Sequence, residues 1–267
     1  MLWRLTPAGD ARKTARPSPS FRKSPMRLAA LAAALLLTAG LNLGPANAIV
    51  GGQPASADLK AEAAMIVSTR GATCTGVVLA PSVVLTAAHC VQPAADYAVV
   101  VFEAAGPRLI PVARIALHPS FQANSFETQR PTPDLALVKL SAPLPGSFQP
   151  AQLSSDMALP AKRTSFTLVG FGVTKDGDGK SAGTLRTVSL PSIGTTGGIM
   201  IRLSNGASAG GCTGDSGGPV LLDGTVAGII GWSTAAGGAR GCGGVTGATL
   251  VGPQRPWIDA TARAMGN

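Results

Sequence analysis

Acidic residues are scarce in this chain: 13 Asp and Glu stand against 22 Lys and Arg, a formal charge of +9. Spread over a folded surface, that excess would suit a nucleic acid or an anionic membrane. It is not spread. Residues 1–48 hold seven of the cations (Arg4, Arg12, Lys13, Arg16, Arg22, Lys23, Arg27) and one acid, Asp10, which leaves 15 basic and 12 acidic residues in 49–267 and no dense basic run. Aromatic residues are also few, 4% with a single Tyr, so the chain lacks the rings that stack on exposed bases. Together these shortages exclude nucleic acid as the expected partner. Histidine is nearly absent, two in all, and the four cysteines show no C-x-x-C spacing, so no metal is expected. Long apolar runs are missing too. The run from Leu28 to Ala39 falls short of the roughly 20 residues that span a bilayer, so no stable membrane anchor is expected. Charged residues make up 13% and glycine numbers 34, a balance that fits short strands joined by turns better than a helical bundle.

What is present begins with a leader. From Met26 the chain has a basic start, the apolar run, and small residues ending in Ala46-Asn47-Ala48, which reads as a secretory signal peptide cleaved after Ala48. That places the mature protein in a periplasm or outside the cell. Residues 1–25 are rich in Pro, Ser and Arg and are not expected to fold; they are either a long basic n-region or lie upstream of a true start at Met26.

Four segments carry the chemistry. Cleavage after Ala48 exposes Ile49-Val50-Gly51-Gly52. Val84 to Cys90 reads VLTAAHC, a strand end delivering His89. Asp134 opens DLALVKL, an acid before an apolar strand. Gly211 to Pro219 reads GCTGDSGGP around Ser216. A serine is a weak nucleophile at neutral pH and needs a neighbouring base. An imidazole titrates near neutrality and can take a proton and return it. An acid beside the imidazole fixes its tautomer and stabilises its charged form. The other histidine, His118 in Leu117-His118-Pro119, reads as part of an exposed loop.

In the order His, Asp, Ser, and with the IVGG start, residues 49–267 resemble the trypsin/chymotrypsin-like serine proteases, in the leaner form of secreted bacterial members. The resemblance implies a secreted serine endopeptidase with His89, Asp134 and Ser216 as triad and the N–H groups of Gly214 and Ser216 as oxyanion hole. It also implies a freed Ile49 ammonium paired with Asp215, and disulfides Cys74–Cys90 and Cys212–Cys242, each loop closure contributing on the order of 3 kcal/mol. The implied fold is all-β, two six-stranded antiparallel barrels with a C-terminal helix: leader 1–48, first barrel 49–150, second barrel and helix 151–267. The short apolar runs Met65–Thr69, Gly76–Leu79, Ala98–Glu103, Leu135–Leu140, Ser165–Val169, Thr184–Leu190, Val226–Trp232 and Gly247–Val251, broken by Gly, Pro and polar turns, and the helical stretch Pro256–Ala264 agree with this. The implied partners are protein or peptide substrates and a proteinaceous inhibitor, with a monomeric enzyme and no cofactor. The competing reading is a pseudoprotease that keeps the fold as a binding module.

Two departures from the family pattern matter. Six residues before Ser216, where relatives that cleave after Lys or Arg carry an aspartate, stands Gly210. With Gly211, Ser233 and Gly244 it implies an uncharged pocket for a large or medium apolar residue before the scissile bond, with the insertion Thr234–Arg240 at its entrance. Gly231 stands where relatives usually carry a serine bonded to the triad aspartate. Phe171, in place of a usual tryptophan, reads as a packing change.

Overall fold

The computed structural model describes residues 49–125, 131–206 and 209–266; the expected leader, with its cleavage site after Ala48, lies outside the described residues. Strands β2 (Ala63–Ser68), β3 (Thr73–Ala80), β4 (Val83–Thr86), β5 (Tyr97–Glu103), β6 (Gly106–Leu117) and β7 (Ala136–Leu140) close into a barrel in the order β2-β3-β4-β7-β6-β5. Strands β8 (Ser165–Gly170), β9 (Arg186–Thr196), β10 (Met200–Leu203), β11 (Pro219–Leu222), β12 (Thr225–Ser233) and β13 (Thr246–Leu250) form a second antiparallel set, closed by pairing of β8 with β9. Closure removes the exposed strand edges that an open sheet would have to protect. Short helices α1 (Ala57–Glu62) and α2 (Ala88–Val91) flank the first barrel's strands. Helix α3 (Arg255–Gly266) ends the described chain.

The sequence pattern explains why the two barrels meet where they do. Successive residues of a strand face opposite sides. In β4, Val84 faces the core of the first barrel and Leu85 faces the seam between barrels; in β7, Val138 and Leu137 divide the same way. In β12, Ile229 joins the seam and Ile230 the core of the second barrel. These strands therefore read as continuous apolar runs, because both of their faces are buried. Helix α3 caps the seam: Ile258 and Met265 pack into it, Arg255 bonds the carbonyls of Leu153 and Ser154, and Arg114 of β6 donates to the carbonyl of Ala264 at 2.9 Å.

Two details depart from the expected division at residue 150. Strand β1 (Gln53–Pro54) pairs with β9 of the second barrel, and Val50 bridges Gly210 in both directions at 3.0 Å. The first described residues thus belong to the second barrel, while α3, at the end of the described chain, lies against β4 and β7 of the first. His118 is also not in an exposed position. It is 8% accessible, its Nδ1 accepts the Ser120 N–H at 3.1 Å, and its ring meets Trp257 of α3 edge-on at 4.7 Å. Burial holds its pKa below the ordinary histidine value, against an opposing hydrogen bond with Gln254.

Candidate active site

The ends of three seam strands converge. His89 follows β4 within α2, Asp134 precedes β7, and Ser216 precedes β11. Asp134 holds His89 twice: Oδ1 accepts the backbone N–H of His89 at 3.0 Å and Oδ2 meets Nδ1 at 2.6 Å. The carboxylate side chain is 13% exposed and the imidazole 40%, so the pair is anchored inside with its free edge toward solvent. That fixes the tautomer, with hydrogen on Nδ1 and a lone pair on Nε2. His89 and Ser216 line the same open cleft, of about 420 Å³, together with Gly214, Cys74, Cys90 and Cys212. Ser216 Oγ donates to the Gly231 carbonyl at 3.5 Å rather than to His89 Nε2; a bond between nucleophile and base commonly forms or tightens only in the substrate complex.

The backbone around Ser216 has an uneven hydrogen-bond pattern. The N–H groups of Asp215, Gly217 and Gly218 donate to Cys212, Ile230 and Asp215 carbonyls. Those of Gly214 and Ser216 donate to no carbonyl among the described residues. Two unpaired donors next to a nucleophile can receive a developing oxyanion. Gly214 sits at φ +99° with Gly172 directly behind it, and a Cβ on Gly217 would overlap the Thr75 carbonyl and the Thr86 hydroxyl. The glycines of the segment are therefore required by backbone shape and by the first barrel pressing on the second.

Asp215 is completely buried; its Oδ1 and Oδ2 accept the N–H groups of Gly172 and Cys212, both at 2.8 Å. Burial pushes its carboxyl up to about 7, against those two donors, which pull it down. Ile49 is also completely buried, among Phe166, Leu168, Ile201 and Leu203. Its φ of +51° is an outlier for a β-branched residue. That torsion exists only while the bond to Ala48 is intact.

The structure joins Cys74 to Cys90 and Cys212 to Cys242. The first bridge adjoins His89, with Cys90 Sγ 3.8 Å from Nε2.

The residues expected to line the substrate pocket are tightly packed. Ser233 borders the open cleft, but Gly210, Gly211 and Gly244 are buried behind it. An ideal Cβ on Gly211 would lie 3.3 Å from Thr246 Cγ2 and 3.6 Å from Ser233 Cβ. A side chain held between two walls needs about 3.5 Å on each side, so no ring fits between Gly211 and Ser233. Gly244 is closed off as well: its N–H bonds the Thr234 carbonyl at 2.7 Å, and a Cβ there would overlap Ala235. The insertion from Thr234 packs onto the glycine wall instead of leaving a slot. At Gly210 and Gly211 themselves there is no side chain to carry a charge, and the Gly211 N–H is met by the Thr246 hydroxyl at 2.8 Å; the acid of the cleft is Asp176, whose carboxylate lies near the Cys212–Cys242 sulfurs.

Gly231 is the extra residue of a bulge where β12 passes β13 between Ile230 and Trp232. An ideal Cβ on it would stand 3.3 Å from Asp134 Oδ2, so a serine there would bring its hydroxyl onto the carboxylate. Gly231→Ser is expected to raise kcat/KM roughly threefold to tenfold, about 0.7–1.4 kcal/mol of transition-state stabilisation. Steady-state kinetics decide it; a fall would mean the tight Cβ displaces Asp134. Thr75 is a residue the sequence reading missed, and it reaches across the seam to the segment around Ser216. A threonine in the strand TCTGVVLA, two residues after another, carries no signal that could have found it.

Two closed antiparallel barrels with a His-Asp pair and a serine at their junction define the chymotrypsin-like fold class. Residues 49–258 match the family described as Trypsin, and the chain belongs to that family, whose members are serine proteases and hence hydrolases. The chain is 36% identical to human serine protease 56 over 167 residues, 55% of this chain and 27% of that protein. It is 29% identical to pig trypsin over 177 residues, 60% of this chain and 73% of that one. Among solved structures, human heparin binding protein superposes with a TM-score of 0.66 at 22% identity, covering 79% of this chain and 96% of the other. These relatives are animal proteins and give no support to a specifically bacterial type. Members of the family are generally secreted, and among the described residues no helix is long and apolar enough to cross a membrane.

Proposed function

We propose that the protein is a secreted serine endopeptidase that cleaves after a small, uncharged residue. The observation that carries this is the pairing of His89 Nδ1 with Asp134 Oδ2 at 2.6 Å in one cleft with Ser216. In the proposed cycle His89 Nε2 takes the Ser216 proton as Oγ attacks the carbonyl carbon. The Gly214 and Ser216 N–H groups receive the oxyanion, and the protonated His89 then gives its proton to the leaving amine. Water attacks the resulting ester with His89 again as base, and no cofactor enters. Removal of the leader after Ala48 would free the Ile49 amine to pair with Asp215, with no separate zymogen stage.

The test is a mixed peptide library read by mass spectrometry, with purified Ile49–Asn267 beside Ser216→Ala. Cuts after Ala, Gly or Ser that vanish in the variant are expected; cuts after Phe and Leu in preference would overturn the size of the pocket. Ser233→Gly is expected to shift the Phe-to-Ala cleavage ratio upward by roughly tenfold, within the range one buried carbon is worth in a pocket. The second reading, a binding module without turnover, has one observation in its favour: the Ser216 hydroxyl faces Gly231. A structural neighbour named for heparin binding also suggests that the fold accommodates such roles. A fluorophosphonate probe separates the readings, since only an activated Ser216 reacts.

A further inference from the structure

We infer that Thr75, on β3 of the first barrel, is a positioning residue for the oxyanion-binding backbone of the second; this rests on the protease reading above. Four consecutive carbonyls around the nucleophile are each held. That of Thr213 accepts Val173 N–H at 2.8 Å and that of Asp215 accepts Gly218 N–H at 2.9 Å, both within the second barrel. The other two are held by one residue from across the seam. Thr75 Oγ1 donates to the Gly214 carbonyl at 2.9 Å, and Thr75 N–H donates to the Ser216 carbonyl at 2.8 Å. The same hydroxyl accepts the Phe171 N–H at 3.0 Å, so both of its hydrogen-bonding roles are used, and Thr75 is completely buried. Its own carbonyl is fixed by the Thr86 hydroxyl at 2.7 Å, three residues before His89.

The arrangement has a direct geometric consequence. A glycine at φ +99° has little intrinsic preference for the torsions that aim its N–H. The Thr75 hydroxyl restrains the peptide that follows Gly214, and its backbone restrains the one that follows Ser216. The peptides that carry the two free N–H groups are held through the Thr213 and Asp215 carbonyls within the second barrel, and Thr75 holds the two peptides that alternate with them, so the torsions on the C-terminal side of Gly214 and of Ser216 are set from the first barrel, tying His89 and Ser216 to one frame. Such preorganised donors act without reorganisation during reaction.

The experiment compares Thr75→Val, which keeps the shape and removes the hydroxyl, with Thr75→Ser, which keeps the hydroxyl, and with Thr75→Ala as a less crowded deletion. Loss of a direct oxyanion donor lowers rate by about 10²–10³, and loss of a support is expected to cost on the order of tenfold. Thr75→Val and Thr75→Ala should lose about tenfold in kcat at a temperature well below their melting points. KM should change less than about twofold, and affinity for a peptide boronate should fall in step with kcat. Thr75→Ser should recover to within about threefold. Equal kcat in folded Thr75→Val or Thr75→Ala, with only a lowered Tm, would overturn the inference and leave Thr75 structural. An unmodified protein that neither turns over peptides nor reacts with fluorophosphonate would overturn the protease reading itself, and this inference with it.

Discussion

Retention of two leader residues before Ile49 is expected to lower activity by at least about 10²–10³, the magnitude associated with losing an oxyanion donor. Asp215 is completely buried one residue before Ser216, and among the described residues no cationic side chain pairs with it. With the chain uncut, burial keeps its carboxyl near 7, above its ordinary 3.8. A folded-state value raised in this way stabilises the fold fully below the unfolded value. That contribution is lost as pH rises from about 4 through about 7. The uncut chain should therefore melt at progressively lower temperature across that window.

Cutting before Ile49 reverses the sign for Asp215. The new ammonium would lie in the segment that Val50 already stitches to Gly210, and pairing with it favours the carboxylate. The left-handed torsion of Ile49 disappears with the cut bond. The amine, ordinarily near 7.7–8.0, is raised by the pair. Its stabilisation is complete below the unfolded value and lost as pH climbs through the folded one. The cut form should therefore hold its Tm from pH 4 to 7 and lose activity reversibly at alkaline pH. Full activity from the chain with two extra residues, or parallel melting profiles for both forms, would contradict the Ile49–Asp215 pair.

Asp134→Asn is expected to lower kcat by about 10⁴, the order associated with this change in Ser-His-Asp triads. Asp134 accepts two hydrogen bonds from the same residue, one from the His89 backbone and one from its ring. An asparagine has one carbonyl oxygen and one amide nitrogen, so it cannot accept both. If the oxygen keeps the backbone N–H, the amide faces Nδ1 and moves the ring hydrogen to Nε2, where it blocks proton uptake from Ser216. The variant should keep its melting temperature within a few degrees, lose fluorophosphonate reactivity, and show the altered tautomer in imidazole nitrogen NMR. Near-normal turnover would remove Asp134 from the mechanism.

Much of this architecture is legible in the sequence. The apolar runs at Met65–Thr69, Ala98–Glu103 and Val226–Trp232 correspond to β2, β5 and β12, because a strand buried on both faces is apolar throughout. Strand β6 was not readable. It carries Pro107, Pro111, Arg108 and Arg114, and most of its twelve residues face solvent, so neither alternation nor a continuous run marks it. Strand β10 has four residues, too few to show a period.

The sequence by itself determined which chemical groups are available. One histidine sits beside a cysteine, one aspartate precedes an apolar strand, a serine lies among glycines, and most of the cation excess lies in residues 1–48. These are local properties, set by residue type and near neighbours. The tertiary structure decided how groups far apart in the chain approach. Ser233 and Thr246 stand close beside Gly211 and leave little room there. His118 is buried against a helix that lies 137 to 148 residues further on. Thr75 bonds a carbonyl 139 residues away. Width of a pocket and direction of an N–H depend on separations of a few tenths of an ångström between remote backbones. No residue type encodes such separations; the closing of two barrels against one seam sets them.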